Sequence, residues 1–263
     1  MTDRAIALDG LHALAPIGLA DLLAAGGELQ TRVDRKYIVD WATLAALTGA
    51  LAADHRVLDI DGRRTFLYDS VYFDSPQLST FHAHVQGRRH RFKVRARLYV
   101  DTETAFVEVK LKGRRGQTVK HRLPATPEDH GRLTPAARAF VADRLREAHG
   151  RDAPGDLVPV LGTHYRRITL AAATGDERLT VDYDVHFPGA PQATSLSGGH
   201  VIVETKSHDG RGRADRALRA LGARPLSCSK YVVGIGVTGR RPTPAEARRI
   251  VRRYFTQPAE AAA

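Results

Sequence analysis

The chain has 263 residues, 43% hydrophobic and 26% charged, with 40 Lys and Arg against 29 Asp and Glu for a formal charge of +11. Its single cysteine, Cys228, excludes a disulfide framework and a cysteine-built zinc site. No run of about 18 apolar residues offers a membrane-spanning helix. The cationic surplus favours polyanionic partners such as nucleic acid, an anionic membrane or phosphate compounds, although a merely basic surface explains composition as well. The opening MTDRAIALDG lacks the basic and apolar regions of a signal peptide, so an intracellular, cytoplasmic protein is expected.

In chain order, PIGLADLLAA (16–25) predicts a short helix stopping at Gly26-Gly27, followed by a strand over 29–39 (LQTRVDRKYIV). Asp40 caps a helix over 41–53 with Leu44, Leu47 and Leu51 on one stripe. Strands are predicted at 65–74, 90–100, 104–112 and 117–123, the last two joined by the turn GRRGQ. Residues 124–133 read as a connection, and Thr134-Pro135 starts a helix running to about 148. Strands follow at 160–171, 177–187 and 200–207, then a helix from Arg213 to Leu221 ending at Gly222. A final strand over 227–237 precedes Thr243-Pro244 and a basic helix ending near Phe255, with the tail QPAEAAA frayed.

Strand after strand alternates charge with apolar bulk. In RRHRFKVRARLYV (88–100), Arg91, Lys93, Arg95 and Arg97 share one face and Phe92, Val94, Ala96 and Leu98 the other. The same period sets Glu108, Lys110 and Lys112 against Val107, Val109 and Leu111, and Lys120 and Arg122 against Val119 and Leu123. It recurs for Arg32, Asp34 and Lys36, for Tyr165, Arg167 and Thr169, for Arg178, Thr180 and Asp182, and for Glu204 and Lys206. A solvated sheet face explains one such strand. Over many it explains less, because like charges opposite one another destabilise a sheet and the apolar side still needs cover. The expected architecture is α+β: a closed antiparallel β-barrel with a cationic lumen and helices packed outside. Such a lumen favours a linear phosphate, which Arg and Lys bind through charge-assisted hydrogen bonds.

The ordered series RVDRKY (32–37), SVYFDS (70–75), KVRARLY (93–99), FVEVK (106–110), VKHR (119–122), YRR (165–167), RLTVD (178–182), VIVETK (201–206) and SKY (229–231) resembles the polyphosphate-polymerase domain of the vacuolar transporter chaperone (VTC) complex, one of the triphosphate tunnel metalloenzymes. The resemblance implies a helical segment over 1–28, a tunnel domain over 29–240, and a basic helix and tail over 241–263. It implies transfer of the ATP γ-phosphate to inorganic polyphosphate, with Arg95, Arg97, Lys110, Arg167 and Arg178 as catalytic cations. Arg32, Lys36, Lys93, Lys120, Arg122, Lys206, Ser229 and Lys230 are the implied phosphate-binding residues. Glu204, with Glu108 second, is the implied ligand of a divalent metal, manganese or magnesium. A membrane-protein partner and recruitment to the inner face of a membrane come with the same resemblance.

The chain departs from the family pattern in two respects. Ser227 and Cys228 stand where the family often carries a lysine before SKY, and Arg32 stands where hydrolytic relatives carry the first glutamate of E-x-E-x-K. Internal counter-ion is the competing role for Glu204, and orienting the cations is the better role for Asp34, Glu108 and Asp182. His82, His84 and His90 read as surface histidines. A hydrolase on the same fold and a non-catalytic polyphosphate-binding module remain alternatives. Sequence-specific nucleic-acid binding is not expected, because the cationic faces show no stacking aromatics. The helix AEARRIVRRYF reads as packed through Ile250, Val251 and Phe255, with a solvated basic side.

Overall fold

In a computed structural model the described residues are 1–25, 33–112, 118–153, 155–174, 177–188, 194–227, 229–239 and 243–256. Arg32, Cys228, the GRRGQ turn and the QPAEAAA tail lie outside them. One end of the chain builds helix α1 (Asp3–His12), strand β1 (Pro16–Ile17) and helix α2 (Leu19–Ala25). The helix expected over 16–25 thus starts later: Pro16 and Ile17 pair in parallel with strand β3 (His55–Leu58), which alternation did not announce. Between them lie β2 (Val33–Asp40) and α3 (Trp41–Leu51), the latter capped as expected by Asp40, which accepts from Thr43 N at 2.8 Å.

The middle of the chain is β4 (Phe66–Asp74), α4 (Ser79–Val85), β5 (Phe92–Tyr99), β6 (Thr104–Lys112), β7 (Thr118–Ala125), α5 (Pro135–His149) and β8 (Val158–Ala172). It ends with β9 (Arg178–Phe187), β10 (Thr194–Leu196), β11 (His200–Ser207), α6 (Arg213–Ala220), α7 (Lys230–Val237), α8 (Ala245–Tyr254) and β12 (Phe255–Thr256). The main ladders are antiparallel and run β2-β11-β9-β8-β4-β5-β6-β7, with the short β10 and β12 continuing beside β9. Among the described residues no ladder joins β7 to β2. The sheet is therefore open, where a closed barrel was expected. It is nevertheless curled: the carboxylate of Glu204 on β11 acts on the amine of Lys110 on β6, although those strands are far apart in ladder order.

Apolar residues of the alternating strands lie on the outer, convex face, under helices. Ala137, Val141 and Leu145 of α5 pack on Val94, Val107 and Val109. Ala7, Leu44, Leu47 and Leu218 of α1, α3 and α6 pack on Val181, Val203 and Ile168. Val94, Val109, Ile168 and Val181 are fully buried, each stabilising this layering by about 1.5–3 kcal/mol.

Not every helix is outside. The segment expected as a last strand is α7, and it packs on the concave face, where Tyr231 stacks on Tyr72 and Val233 and Ile235 share a core with Leu161 and Phe187. An apolar run of this length suits either conformation. A helix closes its own backbone hydrogen bonds inside an apolar pocket, whereas a strand would need a ladder partner there. Gly234 permits the approach: a Cβ would stand 2.5 Å from Leu161 Cδ2 and 2.7 Å from Phe187 Cε1. The basic helix α8 buries Ala247 and Ile250 and leaves Arg248, Arg249, Arg252 and Arg253 exposed.

Candidate functional site

Cross-strand register sets two rows across β5, β6 and β7. In one, Arg95 faces Glu108, which faces Arg122. Glu108 is enclosed: Arg95 Nε donates to Oε2 at 2.6 Å, Arg122 Nε to Oε1 at 2.9 Å, and Lys120 Nζ lies 3.5 Å from Oε1. Burial alone would raise its carboxyl, but Arg95 foremost, then Arg97, Lys120 and Arg122, hold it well below the usual range. In the adjacent row Lys93 faces Lys110, which faces Lys120, with no carboxylate between them. Like charges set directly opposite cost stability. Burial, and then Arg95, drive the Lys110 amine well below its usual value, and burial with the neighbouring cations brings Lys120 to about 8.

Arg97 and Arg167 occupy the neighbouring wall. Arg97 is buried, donating to Tyr165 Oη at 2.7 Å and Ser70 Oγ at 3.2 Å. Arg167 grips both oxygens of Asp182, at 2.5 and 2.8 Å, and the amine of Lys230 on α7 donates to the same carboxylate. Burial opposes ionisation of Asp182, but Arg167 and Lys230 lower its pKa to about 2. On the last wall Glu204 meets Lys206 at 3.1 Å and Lys36 at 3.8 Å, and these cations outweigh its burial to keep it ionised. Arg178 stands opposite Lys206, and its guanidinium reaches the Leu22 carbonyl. Ser229 opens α7 and accepts from Lys93 Nζ at 3.0 Å.

Arg95, Arg97, Lys110 and Arg167 therefore share one concave face with Lys36, Lys93, Lys120, Lys206 and Lys230, while Arg178 turns toward α2. The face also carries what the alternation missed. Tyr68 and Tyr165 stack at 5.2 Å, and Arg97 and Arg167 both lie 5.1 Å from the Tyr68 ring. Tyr72 stacks on Tyr231 at 5.1 Å. The expectation that the cationic face lacks aromatics is corrected: TFLYDSVYFD puts Tyr68, Ser70 and Tyr72 in step with the arginines of β5, the signal that would have revealed them. These rings are themselves buried and serve as platforms for guanidinium groups.

His84 is corrected as well. It is not a free surface histidine: its Nε2 lies 3.1 Å from Lys93 Nζ. Among the described residues no group of three His, Cys, Asp or Glu could hold a metal. Of the two carboxylates proposed for that role, Glu108 is committed on both oxygens to cations. Glu204, ionised and on the concave face, fits the mode in which one protein carboxylate and substrate phosphates share a divalent ion.

No curated protein matches the chain. Among solved structures, a Hippeastrum adenylyl cyclase candidate described as having dominant triphosphatase activity is 16% identical, with a TM-score of 0.47, covering 81% of this chain and 98% of its own. A conserved hypothetical protein from Pyrococcus furiosus is 12% identical, with a TM-score of 0.40, over 73% of this chain and 91% of its own. An adenylate cyclase candidate from Bacillus halodurans is 12% identical, with a TM-score of 0.40, over 84% of this chain and 97% of its own. The VTC domain model matches residues 31–238, which include all the strands of the concave cationic face, and the chain belongs to the VTC domain family.

Proposed function

We propose that the chain is a metal-dependent polyphosphate polymerase that transfers the ATP γ-phosphate to a growing inorganic polyphosphate held along the concave face. The observation that carries this reading is the convergence of Arg95, Arg97, Lys110 and Arg167 on one concave face, with Lys110 in register between Lys93 and Lys120. VTC family membership supports it. A terminal oxygen of the chain attacks the γ-phosphorus, forming a P–O bond. The bond from the γ-phosphorus to the β,γ-bridging oxygen breaks, and ADP leaves with the electron pair. A phosphate oxygen is already nucleophilic, so no dedicated base is needed. Positioning and charge neutralisation make up most of the catalysis.

Arg95 and Arg97, fixed by Glu108, Ser70 and Tyr165, present guanidinium groups to equatorial oxygens without reorganising. Arg167 and Lys230 are aligned by Asp182 for the same task. Lys36, Lys120, Arg122 and Lys206 line the path of the chain. Glu204 would hold the divalent metal, manganese or magnesium, which when bound supplies charge neutralisation between phosphates. No helix among the described residues is long and apolar enough to cross a membrane. A membrane-spanning partner, met through the exposed arginines of α8, accords with the reading.

Product analysis tests it. Incubation with ATP and manganese or magnesium should yield long-chain polyphosphate and ADP. Release of orthophosphate alone would assign a hydrolase, and absence of turnover with retained polyphosphate binding would assign a binding module.

A further inference from the structure

Lys93 differs from the other cations of the face in what holds it. Its amine donates to Ser229 Oγ at 3.0 Å and lies 3.1 Å from His84 Nε2, so α4, β5 and the start of α7 meet at one nitrogen. Neither partner is anionic. Across the ladder it faces Lys110 on β6. The charged groups acting on it are Lys36 on β2, Arg95 on its own strand and Arg91 just before that strand, all cations. His84 faces the same field, with Arg91, Lys36 and Lys112 around it. From α7 the Tyr231 ring, 5.9 Å away, adds no formal charge, since its hydroxyl donates to the buried Asp74.

We propose that Lys93 becomes a phosphate ligand only by gaining a proton, so that loading the face with linear polyphosphate is coupled to proton uptake at the Lys93–His84–Ser229 cluster. The inference rests on the polyphosphate reading of the face and adds proton coupling to it. Burial first, then the surrounding cations, bring the Lys93 amine down to about 7, and burial and Lys93 hold the His84 imidazole neutral with its value at about 3. The empty face therefore carries Lys93 largely uncharged above pH 7. A polyanion reverses the local potential and favours the ammonium form. The proton comes from solvent and stays on Nζ, and no bond to phosphorus changes. By linkage, affinity must fall as pH rises above about 7, because binding then requires a proton that the free protein lacks.

Calorimetric titration of the full chain with polyphosphate, at pH 6 and pH 8 in buffers of different ionisation enthalpy, counts these protons. Uptake should be greater at pH 8 than at pH 6. Lys93→Arg, always charged, and Lys93→Gln, always neutral, should each take up fewer protons at pH 8, by up to about one per bound chain. Lys110 and Lys120 remain in both variants, so the difference belongs to Lys93. The Arg variant should keep its affinity, and the Gln variant should lose about tenfold. Variants that bind with the wild-type proton count would overturn the coupling, even with weakened affinity, and would leave Lys93 a structural contact. Failure of all three proteins to bind polyphosphate would instead remove the reading of the face, and the coupling with it.

Discussion

Tyr37 donates its hydroxyl to Asp215 at 2.7 Å, tying the edge strand β2 to helix α6 on the side of the sheet opposite Lys36. Thr205 of the neighbouring strand donates to the same oxygen at 2.8 Å. The RKY and ETK motifs thus carry both functions of their strands: Lys36, Glu204 and Lys206 lie on the concave face, and Tyr37 and Thr205 anchor the helix behind it. Tyr37→Phe removes one donor from a buried carboxylate, and stability should fall by about 1–3 kcal/mol. Urea unfolding followed by fluorescence would show the lowered midpoint; an unchanged midpoint would deny the anchor any weight.

Glu108→Gln separates counter-ion from metal ligand. Breaking a buried ion cluster costs about 3 kcal/mol, less the share of Lys120 and Arg122, which are partly solvated. The variant should be less stable with its metal requirement unchanged. A metal titration whose midpoint moves in this variant would return Glu108 to the metal site.

Glu204→Gln should behave in the opposite way. Removing a negative charge from a cationic face leaves metal-free polyphosphate binding intact or tighter, while turnover should fall by about two orders of magnitude. Arg97→Ala, by contrast, should weaken both affinity and turnover. Filter binding and polymer yield on the same preparations distinguish the two patterns, and a fully active Glu204→Gln protein would remove Glu204 from the chemistry.

Acid should unfold the protein through its internal carboxylates. Asp182 is lowered from an ordinary 3.8 to about 2, and Glu108 and Glu204 are held well below 4.5, in each case by cations that outweigh burial. A folded-state value that is depressed gives stability that is full above the unfolded value and is lost as pH falls through the folded one. Urea midpoints should therefore hold near pH 5 and drop steeply from about pH 4 toward pH 2. Glu108→Gln should flatten that decline, and an identical pH profile in the variant would contradict the assignment.

Gly234→Ala tests the plug on the concave face. The added methyl group meets Leu161 and Phe187 inside a packed core, an overpacking that costs about 1–3 kcal/mol. Thermal melts should show the loss, and a neutral substitution would mean that α7 sits less closely than described.

The strands of the concave face, their inward cations and the helices over their apolar side were legible in the sequence because a period of two assigns every side chain to a face. That period also separated Arg95 and Arg97 from Val94 and Ala96 before any fold was known. It could not say whether β7 meets β2, since closure depends on how far the twist of many strands accumulates. Nor could it show that Glu108 would be surrounded by Arg95, Lys120 and Arg122, a matter of cross-strand register. The helical state of KYVVGIGV was decided by an apolar pocket that only the assembled sheet creates. Lys93, alternating like its neighbours, is set apart by its burial, by Lys36 across the face and by its neutral contacts to His84 and Ser229, none of which its own strand reveals. Periodicity is local and follows from backbone geometry; charge neutralisation, burial and the partner of each cation depend on contacts made across the concave face, and those exist only once the sheet has curled.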